Sequence, residues 1–105
     1  MAQINRYFLS KLCEINYRMS VHEGDANRRL ASEAENIVLF PAADVPMRFR
    51  KSFEEMKKTL NDALADVRFP FTLSKIQSIR NSTAAKYLKL LIDIQDSLSG
   101  DLDSR

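Results

Sequence analysis

His22-Glu23-Gly24-Asp25 gathers the chain's one histidine with two carboxylates, a run of side chains able to hold a metal ion. Zinc, however, needs three or four ligands at defined spacing, drawn mostly from His and Cys. The chain offers one of each, so this run reads as a solvated turn and no metal is expected. Cys13 lies beside an apolar stripe, nine positions from His22, with no second thiol in the chain. A catalytic thiol needs an adjacent base, and Cys13 reads instead as a small core filler. Asn81-Ser82-Thr83 matches the N-glycosylation acceptor pattern; three residues in a chain of otherwise cytoplasmic character read as coincidence. The pairs Glu54-Glu55 and Asp93 with Asp96 have the look of solvated helix faces. A general acid needs burial or a charged neighbour to shift its pKa, and the pattern supplies neither. Gly-rich phosphate loops, H-E-x-x-H and G-x-S-x-G are all missing. No catalytic residue and no cofactor are expected; the reading is of a protein that is not an enzyme.

Composition narrows the frame in which such residues could be held. At 105 residues with 45% hydrophobic and 29% charged content, the chain is one domain with a real core and a charged surface. Two glycines and three prolines leave little turn chemistry for a sandwich or barrel, so an all-α fold is expected. A net charge of +2 lacks the strong basic excess of a protein that lives on nucleic acid. The single cysteine excludes an internal disulfide and suits a reducing compartment. No apolar run reaches the roughly 20 residues of a membrane span, and the N-terminus lacks the pattern of a secretory signal. A cytoplasmic location without membrane contact follows.

Four helices are predicted. The first covers 4–21 on a stripe of Ile4, Phe8, Leu12, Ile15 and Met19, and Gly24 with Asp25 breaks the chain before the second, over 26–39. Leu30, Ala34, Ile37 and Val38 face inward there, and Pro41 ends it. The central helix runs from Pro46 to Val67, with Phe49, Phe53, Met56, Leu60, Ala63, Leu64 and Val67 on one stripe. Asp44 is its expected cap and Pro46 its first-turn residue. Pro70 breaks it, and the last helix covers 74–98 as one continuous element, capped at Ser74 and closed by Gly100. Asn81-Ser82-Thr83 is the weak point at which it could divide. The expected architecture is a compact four-helix bundle spanning 1–98 with a C-terminal antiparallel hairpin, followed by a flexible polar tail over 99–105.

The order of charge is unusual. Helices favour acids at their start and bases at their end, yet the second helix opens on Arg28 and Arg29, the central one on Arg48, Arg50 and Lys51, and the last on Lys75 and Arg80. Two antiparallel helices could match basic starts to acidic ends, Asp62 and Asp66 on one and Asp93 and Asp96 on the other. The basic starts could instead bind anions. Tyr7 and Tyr17 on the first helix, with Phe69 and Phe71 after the central one, exceed what a single core needs. Aromatics near arginine are the usual anchors of protein contacts. The function read from these residues is a small non-enzymatic protein–protein interaction or regulatory module working through helix faces. A homodimer through the first helix is one form of it, and the partner is a protein of unknown identity. The contact residues on this reading are Tyr7, Tyr17, Arg48, Arg50, Phe69 and Phe71. The alternative is a nucleic-acid-binding module using Lys75, Arg80, Lys86 and Lys89 of the last helix.

Overall fold

The computed structural model describes residues 6–65 and 79–103, which form an all-α bundle. Its helices are α1 (Arg6–Val21), α2 (Ala26–Ile37), α3 (Met47–Leu64) and α4 (Asn81–Asp103), with a 3-10 turn at Ala42–Asp44 between α2 and α3. Residues at helical spacing on each element meet in one core. Phe8, Leu12, Ile15 and Met19 come from α1; Leu30, Ala34 and Ile37 from α2; Phe53, Met56 and Leu60 from α3; Leu91, Ile94 and Leu98 from α4. Burying such side chains contributes about 2 kcal/mol each, which is what drives these faces together.

The break after α1 has a backbone cause. Gly24 sits at φ 121°, where an L side chain is strained, and a Cβ there would also crowd the Arg28 side chain. α2 then begins from Asp25 in extended geometry. It packs back on α1 as an antiparallel hairpin, with Arg18 against Glu33 at one level and Phe8 edge-on to Phe40 at the other, 4.9 Å between ring centroids. α2 stops at Ile37, two residues short of the predicted end. Phe40 then turns inward ahead of Pro41, its N–H donating to the Ile37 carbonyl at 3.1 Å.

The antiparallel pairing of α3 with α4 is present. Arg48 donates to the Ser97 hydroxyl at 2.8 Å and Tyr87 to the Thr59 hydroxyl at 3.3 Å. The sequence positions therefore run in opposite directions. Of the charges expected to match across this pair, Asp66 and Lys75 lie outside the described residues, and the described ones make no ion pair between α3 and α4. Among the described residues the ion pairs lie within helices, as Lys58–Asp62 and Lys89–Asp93, or join α1 to α2. None links α3 to α4.

Other boundaries also differ from the sequence reading. The continuous helix over 74–98 is replaced by one that begins at Asn81, with Ile79 and Arg80 non-helical; the proposed Ser74 cap falls outside the described residues. The cause is long-range. The Asn27 side chain donates to the Ile79 carbonyl at 3.2 Å, and the Asn81 side chain accepts from the Asn27 N–H at 3.2 Å. The start of α2 thus holds groups that would otherwise continue a helix ladder. At its far end α4 passes through Gly100 to Asp103, because Gly100 keeps negative φ instead of turning. Finally, Pro46 stands at the N-cap of α3, one position earlier than expected, and Asp44 belongs to the 3-10 turn.

Candidate interaction surface

One edge of α1 stands beside the chain that leaves α2. Tyr7, Lys11, Glu14 and Arg18 fall at i, i+4, i+7 and i+11, so they line one edge of the helix for three turns. Across from them lie Asn36, Leu39, Pro41 and Asp44, and the hollow between has a volume of about 590 Å³. Phe8, Ile15 and Phe40 form its floor. Tyr7 and Leu39 stand at its rim, 71% and 78% exposed. Large apolar side chains so open on both sides of an aromatic-floored hollow distinguish this patch from scattered surface residues.

Charges on the α1 edge are already engaged with one another. Lys11 pairs with Glu14 at 3.6 Å, Arg18 with Glu14 at 3.9 Å, and Arg18 Nε with Glu33. Glu33 is only 6% exposed and takes a second hydrogen bond from Asn36 at 3.2 Å. A carboxylate so placed is tolerable only because Arg18 and Asn36 serve it. The result is a ladder of alternating sign over an apolar floor. Lys11 also lies 5.6 Å above the Tyr7 ring, close enough for a cation–π contact that orients the tyrosine.

Of the six residues expected from sequence to make contact, four are described, and these four do not share one site. Tyr7 is part of the hollow. Tyr17, 67% exposed, is on α1 but on the next strip round the helix. Arg48 is exposed, stacked 4.8 Å over the Phe49 ring and bound to Ser97. Arg50 is half-buried and turned back on its own linker, donating to the carbonyls of Ala42 at 3.1 Å, Ala43 at 3.3 Å and Val45 at 3.0 Å. It holds the 3-10 turn in place. Phe69 and Phe71 lie outside the described residues. Of the basic residues of the alternative reading, Lys86 and Lys89 stand one turn apart on α4 and line one hollow with Glu55 and Asp93; Lys89 is paired with Asp93 at 3.0 Å, Arg80 and Lys86 are exposed, and Lys75 falls outside the described residues.

Leu39, Phe40 and Glu33 did not emerge from the sequence as site residues. A signal for the first existed: Ile37-Val38-Leu39-Phe40 are four consecutive apolar residues, and a helix end cannot turn all four inward. Glu33 had no such signal, since its partner Arg18 comes from a different helix.

The groups first considered for chemistry do not line this hollow. His22, Glu23, Asp25, Glu54 and Glu55 are exposed, and no three metal-binding side chains cluster among the described residues. Cys13 packs at the margin of the core, where burial pushes its thiol pKa upward and keeps it protonated. No helix among the described residues is long and apolar enough to cross a membrane. No protein family, curated protein or solved structure matches the chain.

Proposed function

We propose that this protein is a non-enzymatic interaction module that binds a protein partner along the edge where α1 meets the end of α2. The observation that carries the reading is the hollow with Tyr7 and Leu39 open at its rim and Phe8, Ile15 and Phe40 beneath. A partner's apolar side chain entering there would gain an aromatic floor, and the charged ladder beside it would fix orientation more than strength. A lone cysteine, Cys13, with no second thiol in the chain to pair with, suits a reducing setting such as the cytoplasm. Nucleic-acid binding has weaker support, because Arg48, Arg50, Lys57 and Lys89 are engaged within the chain.

The test is affinity capture from the source cell with wild type and with Leu39→Asp, which removes an exposed side chain and leaves the core alone. Proteins retained by wild type and lost by the variant are the expected result. An identical set on both would contradict the assignment of this edge. A salt-sensitive gel shift at micromolar protein would favour the nucleic-acid reading instead.

A further inference from the structure

We draw no further inference here: the strongest candidate, the hollow between α1 and the end of α2 with Tyr7 and Leu39 exposed at its rim, belongs to the contact surface already described, and with Lys11, Glu14 and Arg18 paired within the chain nothing in the structure shows what covers it.

Discussion

The two flanks of α1 handle mismatched chemistry in opposite ways. Towards α4 most apolar side chains are covered, although Ile92 is left 49% exposed, and a polar residue, Asn16, is drawn into the helix pair. Its amide donates to the Leu91 carbonyl at 3.2 Å and to the Gln95 side chain at 2.7 Å. Its own oxygen has no hydrogen-bond partner among the described residues, so the pair is held in register at some cost. Towards the end of α2 the pattern inverts. There the buried charge of Glu33 is satisfied by Arg18 and Asn36, while Tyr7 and Leu39 are left in water. The α4 flank is the more nearly closed of the two, with Ile92 half exposed at its edge. Leaving one flank greasy at its rim is what directs attention to it.

Substitutions on the two flanks should separate stability from association. The largest stability loss belongs to the more nearly closed flank. Leu12→Ala removes a fully buried side chain and should cost about 3 kcal/mol, read from urea midpoints at unchanged slope. Next comes the asymmetric pair beneath the open flank. Arg18→Ala strands the buried Glu33 carboxylate and should cost about 2–3 kcal/mol, towards the low end for a broken buried pair because Arg18 is itself half exposed. Glu33→Ala should cost less, about 1 kcal/mol, since Arg18 can turn to water. Equal losses from the two would show that Glu33 is not held as described.

Smaller effects come from the far wall of the hollow and its rim. Arg50→Ala frees three carbonyls of the linker and should cost about 1–2 kcal/mol, with faster amide exchange confined to residues 42–46. Leu39→Asp should move stability by no more than about 0.5 kcal/mol, as expected of an exposed position away from special features. A Leu39→Asp loss comparable to Leu12→Ala would erase the distinction between the flanks.

How much of this was legible in the sequence depended on how far apart the interacting residues lie. The stripe from Phe53 through Met56 and Leu60 to Ala63 announced α3, because its signal is local and repeats with the helix period. Gly24 was equally plain, for only glycine sits easily at its φ. The start of α4 was not, since it is set by Asn27 reaching across to Ile79 and Asn81, and no window along the chain contains all three. Gly100 misled for a related reason: glycine permits a left-handed turn without requiring one. At the surface, Tyr7 could be picked out by being surplus to its stripe. Arg50 could not be told from Arg48, because only the fold of the linker brings three carbonyls within its reach.

The account's central claim is that contact is made at the open flank of α1 and not at the outer face of α3 and α4. Affinity capture from the source cell with wild type and two surface variants tests it most directly: Leu39→Asp at the open flank and Lys58→Glu on the outer face of α3, both at exposed positions. Leu39→Asp is expected to lose partners that wild type and Lys58→Glu both retain. Loss by Lys58→Glu with retention by Leu39→Asp would contradict the claim.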